Sequence, residues 1–164
     1  PELLALYKSA TLPESKFLKL TGQKFFVDGS IGSRSAALSC SYLDSSSNGS
    51  LFYSAEELSE KLTQALALQF SPLLHAIGDR AIETCIQAIE RARRTSDYQD
   101  IICRIEHAEF ITADQLARLE RLNTAITIQP TQHREDFEPP KYGNFLFPSV
   151  LDYGRCDSAS TIGW

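Results

Sequence analysis

The 164-residue sequence has no methionine, one tryptophan and three histidines. It has no apolar run near the ~18 residues of a membrane span, and no secretory signal pattern opens it. Its four cysteines, Cys40, Cys85, Cys103 and Cys156, form no C-x-x-C pair, which removes a zinc knuckle and a thioredoxin-like site. They read instead as buried thiols in a reducing, cytoplasmic compartment. Cations are also scarce: 16 Lys and Arg stand against 21 Asp and Glu, a net charge of −5. A nucleic-acid binder should carry a basic stripe. The one tight cluster, Arg91, Arg93 and Arg94, fits the last turn of a helix, where cations complement the macrodipole. Neither nucleic acid nor a membrane is therefore an expected partner. The chain opens on Pro1, as expected of a processed chain or of a piece of something longer.

What is present is the composition of a globule, 43% apolar and 23% charged. A chain of this length can bury roughly 70% of its unfolded surface. Apolar clusters of β character recur at Lys24–Val27, Leu73–Ile77, Ile101–Ile105 and Ala125–Ile128. Helical patterns separate them. Ser54-Ala-Glu-Glu57 and Thr112-Ala-Asp-Gln115 are capping boxes. Leu58, Leu62 and Leu66 follow the first, and Leu116, Leu119 and Leu122 follow the second, at helical spacing. Asp79 reads as an N-cap for a helix with Ile82, Ile86 and Ile89 on one face. Alternating strands and helices predict an α/β fold with a parallel sheet and crossover helices. The segment Gly29–Tyr53 breaks the rhythm. It is rich in Ser and Gly, and a connection of that length is a functional loop or a disordered one.

Several nucleotide and hydrolase motifs are missing. Gly29-Ser-Ile-Gly32-Ser-Arg34 lacks the third glycine of a dinucleotide fingerprint, and no Walker lysine follows. There is no G-x-S-x-G elbow for a nucleophilic serine. The histidines carry the remaining chemistry. His75 and His107 each fall near the C-terminal end of a strand, the edge where parallel sheets bind ligands. Two imidazoles from successive strands can meet on one metal ion, with Asp79 and Glu106 as candidate carboxylates that orient them. Either histidine alone reads more readily as a hydrogen-bonded core residue; their matched placement brings the two readings level. Lys24, Phe26 and Asp28 alternate onto one strand face. A lysine there is costly to bury unless it is paired; otherwise it opens the strand at the surface, and Asp28-Gly29 is a turn. His133, in a polar stretch, reads as a solvated loop residue.

Four blocks taken together resemble the YtcJ-like metal-dependent amidohydrolases. They are Lys24-Phe-Phe-Val-Asp28-Gly-Ser-Ile-Gly-Ser-Arg34-Ser-Ala-Ala-Leu38, His75-Ala-Ile-Gly-Asp-Arg-Ala81, Arg104-Ile-Glu-His-Ala108 and Ile128-Gln-Pro-Thr131. They occur in the family's order across roughly residues 15–138. The resemblance implies a (β/α)8 barrel and hydrolysis of a non-peptide C–N bond, of amide or formamide type, at a centre of one or two divalent ions, zinc above all. It implies His75 and His107 as metal ligands from the fifth and sixth strands. Lys24 matches a fourth-strand lysine that is carboxylated in two-metal relatives. Asp28, Gly29, Arg34 and Gln129 would line the pocket of a small amide-type substrate.

The departures are equally specific. The family's first-strand His-x-His is absent, and the last-strand Asp is not recognisable, Asp157 being at most a trace of it. Gln132 stands where many members carry His. Four strands, matching the fourth to the seventh of eight, make about half a TIM barrel. The expected organisation is one partial barrel domain over residues 1–164, with its core at 15–138 and an irregular tail at 139–164. A complementary barrel half or a homo-oligomer would cover its open edges. By itself the chain is expected to lack a complete active site. The alternative reading is a catalytically incomplete fragment or pseudoenzyme serving as an interaction module.

Overall fold

Strand and helix alternate because each apolar strand row needs a helix to cover it. The computed structural model describes residues 17, 20–42, 45–95 and 97–129. His133, Cys156, Asp157, Gln132 and the tail at 139–164 lie outside them. The elements are β1 (Gly22–Phe26), α1 (Ala55–Ala67), β2 (Ser71–Ala76), α2 (Asp79–Thr95), β3 (Cys103–His107), α3 (Ala113–Arg121) and β4 (Thr124–Thr127). All three strand pairings are parallel, in the order β1-β2-β3-β4. Each strand therefore pairs with its neighbour in sequence, with no reversal of the kind a doubly wound sheet shows.

The register sorts the side chains into two faces. Phe25, Leu74, Ile105 and Ile126 form one row, turned toward the helices. Leu58, Leu62, Leu66, Ile82, Ile86 and Ile89 meet that face and are fully buried. Each such side chain is worth roughly 1.5–3 kcal/mol of transfer from water. The alternate row, Phe26, His75, Glu106 and Thr127, lies on the opposite face. That face is uncovered at β1, where Phe26 keeps 55% of its surface exposed. A barrel sector has this character: one face packed on helices, the other turned toward strands the sector does not contain.

Both capping boxes form. The Ser54 side chain accepts from the Glu57 N–H while the Glu57 carboxylate accepts from the Ser54 N–H. Thr112 and Gln115 do the same for α3. Gln115 also donates to the carbonyl of Asp79 at 2.9 Å, which ties the start of α3 to the start of α2. Arg118 clamps the same two helices further along, with one guanidinium nitrogen on Glu83 at 2.8 Å and another on Glu90 at 3.0 Å.

The described strands sit within two residues of the expected apolar clusters. The largest offset is at β3, because Ile101 and Ile102 precede the ladder and Ile102 is exposed. Asp79 differs from expectation. It is the first residue of α2, and Gly78 supplies the carbonyl that accepts the first intrahelical bond, from Ile82.

The segment after β1 is not a featureless loop. Ile31, Ala36, Leu38 and Tyr42 pack with Ile77 and Phe110 into a second apolar cluster above the strand ends. Backbone hooks hold it there. Ser39 N–H donates to Asp79 at 2.9 Å, Arg80 N–H donates to the Ala37 carbonyl at 3.1 Å, and the Arg80 guanidinium reaches the Gly49 carbonyl at 3.2 Å. Gly78 permits the close approach: a Cβ there would stand 1.9 Å from the Ala37 oxygen.

Candidate metal centre

Parallel strands end together, so Asp28, His75 and His107 share one rim. His75 occupies the open row between Phe26 and Glu106. His107 is in register with Ala76, and strand alternation alone would send its side chain into the helix layer. The backbone prevents this. His107 has φ of +75° and Ala108 has φ of +51°, so two consecutive non-glycine residues turn through the left-handed region. Such a conformation costs on the order of 1–3 kcal/mol per residue and persists where surrounding structure holds it. Its effect here is to bring the His107 ring to 4.5 Å from the His75 ring, centroid to centroid, in an edge-on arrangement.

The polar surroundings of the two rings differ. His75 Nε2 lies 3.0 Å from the Gly29 carbonyl oxygen and 3.8 Å from Asp28 Oδ1. Among the described residues, His107 Nδ1 is buried without a hydrogen-bond partner, and Glu109 Oε1 stands 3.8 Å away, too far for a direct bond. Burial pushes the His107 pKa below its ordinary value; His75 and Lys24 add to this and Glu106 opposes it. A neutral imidazole is the form that ligates a cation.

Asp28 is buried among backbone amides. Its Oδ2 accepts from Gly78 N–H at 2.8 Å and Ala37 N–H at 2.9 Å, and its Oδ1 accepts from Ile77 N–H at 3.0 Å. Burial raises its pKa while these three bonds and His75 oppose the rise. Below the rim, Lys24 shares the inner face with Leu73 and Arg104. Partial burial lowers the Lys24 pKa, Glu106 opposes the shift, and Arg104 adds to it. Glu106 is itself buried and accepts from Arg104 Nε at 2.6 Å.

Residues 1–162 match the sequence profile described as the amidohydrolase family. The chain belongs to the amidohydrolase family. Among curated proteins, it is 32% identical over 159 residues to Protein LONG AFTER FAR-RED 3 of Arabidopsis thaliana, covering 91% of this chain and 27% of that protein. It is 30% identical over 122 residues to the putative amidohydrolase YtcJ of Bacillus subtilis (strain 168), covering 74% of this chain and 22% of that one. The chain thus spans about a quarter of the length of these relatives. Among solved structures, it is similar to an uncharacterized metal-dependent hydrolase from Pyrococcus furiosus, with a TM-score of 0.68 and 37% identity over 79% of this chain and 27% of that one. A counterpart from Pyrococcus horikoshii OT3 gives 0.67 and 35%, over 79% of this chain and 26% of that one. The parallel four-stranded sheet is accordingly a sector of a TIM barrel.

Within this amidohydrolase-family sector, the residues singled out from sequence fall in distinct places. His75 and His107 come together at the rim. Lys24 is only partly desolvated by its neighbours and its side chain stays exposed, since no strand of the described residues faces it across the barrel. Asp28, expected on the substrate, has both oxygens engaged by the backbone and acts as an internal clamp. Gly29 turns its carbonyl to His75. Arg34 folds back toward the Gly32 carbonyl at 3.4 Å. Gln129 follows β4 and is exposed. Asp79, expected to orient a histidine, accepts instead from the Ser39 backbone. Glu106 lies beside His75 in register, with its hydrogen bond directed to Arg104.

Sequence reasoning missed Glu109, whose side chain is nearly buried beside His107. The available signal was a second acid two residues beyond a candidate ligand. The paired imidazoles and the buried, unpartnered Nδ1 of His107 fit part of a divalent-ion site. Among the described residues, no group of three or more His, Cys, Asp or Glu side chains is placed to complete it.

Proposed function

We propose that this chain contributes the His75–His107 portion of a metal-dependent hydrolase that cleaves a non-peptide C–N bond in a small amide-type molecule. The observation that carries the reading is the convergence of two imidazoles, from successive strands, at one rim of a barrel sector. Support comes from the family and from the solved metal-dependent hydrolases that resemble the chain. His75 and His107 would hold a divalent ion, zinc in the first instance, with Lys24, in carboxylated form, as a further inner-face ligand. A divalent ion in such a site polarises a scissile carbonyl and lowers the pKa of a water molecule. Glu106, close enough to oppose the pKa shifts of both Lys24 and His107, keeps negative potential at the site. Asp28 and the turn after it hold the rim in shape.

The test is metal content of the purified full chain by mass spectrometry, compared with His75→Ala and His107→Ala. Each substitution should lower the bound metal. Equal content in all three proteins refutes the site. A second reading rests on the incomplete donor set among the described residues: the chain alone binds metal weakly and turns nothing over. Turnover of formamide or N-acyl substrates by the isolated chain would overturn that second reading.

A further inference from the structure

The His75 ring meets a turn whose construction is unusually determined. Nε2 lies 3.0 Å from the Gly29 carbonyl oxygen, with Asp28 Oδ1 3.8 Å from the same nitrogen. The Gly29 oxygen is an acceptor within hydrogen-bond reach, and Asp28 Oδ1, too far for a direct bond, faces the same ring atom. A carbonyl cannot donate, so that nitrogen must carry the proton, and in a neutral imidazole the other one, Nδ1, then holds the lone pair. Asp28 cannot swing away, because three backbone N–H groups, of Ala37, Ile77 and Gly78, hold its two oxygens.

The carbonyl itself is placed by a second constraint, made by the backbone. Gly29 N–H donates to the Ser35 carbonyl at 3.2 Å, and the Ser35 and Ala36 N–H groups both donate to the Ser30 carbonyl at 3.1 Å, so the turn closes tightly on residue 35. A Cβ on residue 29 would stand 1.9 Å from Ser35 Oγ and 2.6 Å from Ser35 Cβ. With the Ser35 side chain in place, only glycine at position 29 lets the turn close with its carbonyl on the imidazole. Residues 28 and 29 thus act through His75 without belonging to a donor set themselves.

We propose that the Asp28–Ser35 turn sets the tautomer of His75, holding the proton on Nε2 so that Nδ1 is presented as the metal-binding atom, and that metal affinity therefore depends on closure of this turn. The inference rests on the metal reading only for its second half. The tautomer is a property of the metal-free chain.

The experiment is long-range 1H–15N NMR of the imidazoles in the uniformly labelled full chain, treated with chelator and held at about pH 8, where an ordinary histidine is neutral. His75 should show a pyrrole-like Nε2 and a pyridine-like Nδ1. Gly29→Ala should blur this into a tautomer mixture, and Gly29→Ala/Ser35→Gly, which removes the obstructing side chain, should restore it. Ser35→Gly alone should keep the wild-type pattern. Titration with Zn2+ alone should then show affinity falling about 10–100-fold in Gly29→Ala, the usual scale for loss of a partner that orients a ligand, and recovering in the double variant. A proton on Nδ1 in the wild-type chain overturns the proposal whether or not the variants fold. An unchanged pattern in folded Gly29→Ala overturns it equally. A wild-type chain with the Nε2 proton in place and no Zn2+ binding leaves the tautomer assignment standing and refutes the metal reading.

Discussion

Replacing Asp28 with asparagine is the sharpest perturbation of this fold. The side chain is isosteric, so packing is preserved while one oxygen becomes an NH2 group. The carboxylate accepts three backbone N–H bonds, at 2.8, 2.9 and 3.0 Å, two of them on Oδ2. Bonds to a charged acceptor are worth about 1.5–3 kcal/mol each. Burial of the charge offsets part of that sum, as the raised pKa of Asp28 indicates. The best orientation of an asparagine puts its oxygen where Oδ2 was and keeps two bonds. Its NH2 then faces the Ile77 N–H, leaving a buried donor against a donor. The expected loss is about 2–3 kcal/mol, one missing bond plus one desolvated donor. With a urea dependence of roughly 1–3 kcal/mol per molar for a chain of this size, the unfolding midpoint should fall by about 1–2 M. Asp28→Ala strands all three donors and should cost about 4–6 kcal/mol on the same scale. Hydrogen exchange localises the effect, since the amides of Ala37, Ile77 and Gly78 should lose protection before those of α1. A midpoint for Asp28→Asn within about 0.3 M of wild type, with those three amides still protected, would refute the clamp.

Other outcomes follow from single contacts. Gly78→Ala sets a methyl group 1.9 Å from the Ala37 oxygen, so the loop must lift; a loss of about 2–3 kcal/mol in thermal unfolding is expected, with faster protease cleavage between Gly29 and Tyr53. His107 should titrate below the ordinary 6.5 in the metal-free chain, because burial, His75 and Lys24 disfavour its charged form against the opposing Glu106. With a depressed folded pKa, its contribution to stability is full above about pH 6.5 and is lost as pH falls through the folded value; an NMR midpoint at or above 6.5 contradicts this. Arg118→Ala removes both the Glu83 and Glu90 contacts, and at a part-exposed site this should cost about 1 kcal/mol. That difference should shrink in about 1 M salt, where screening reaches ~3 Å.

Local patterns were legible in the sequence and long-range ones were not. Both capping boxes and the four strands follow from spacing within a dozen residues, which is why Ser54, Thr112 and the leucine and isoleucine rows stand where expected. The likeness to amidohydrolases was legible because its blocks are contiguous. The role of Asp28 was not, since its partners Ile77 and Gly78 lie about fifty residues further along. The core of the loop was hidden for the same reason: Ile31 and Leu38 find Ile77 and Phe110 only after the sheet assembles. Asp79 has the composition of an N-cap, yet its carboxylate reaches across to Ser39. The direction of the His107 side chain depends on a backbone sign that residue types do not announce.

That backward step at His107 and Ala108 bears on how such a rim can be transplanted. Copying the histidine onto the corresponding rung of another barrel would aim the imidazole at the helices, because an ordinary strand has no reason to reverse there. The graft must carry the short Ala108 as well, or a glycine or asparagine in its place. A valine or isoleucine would straighten the chain and withdraw the ring from the opening.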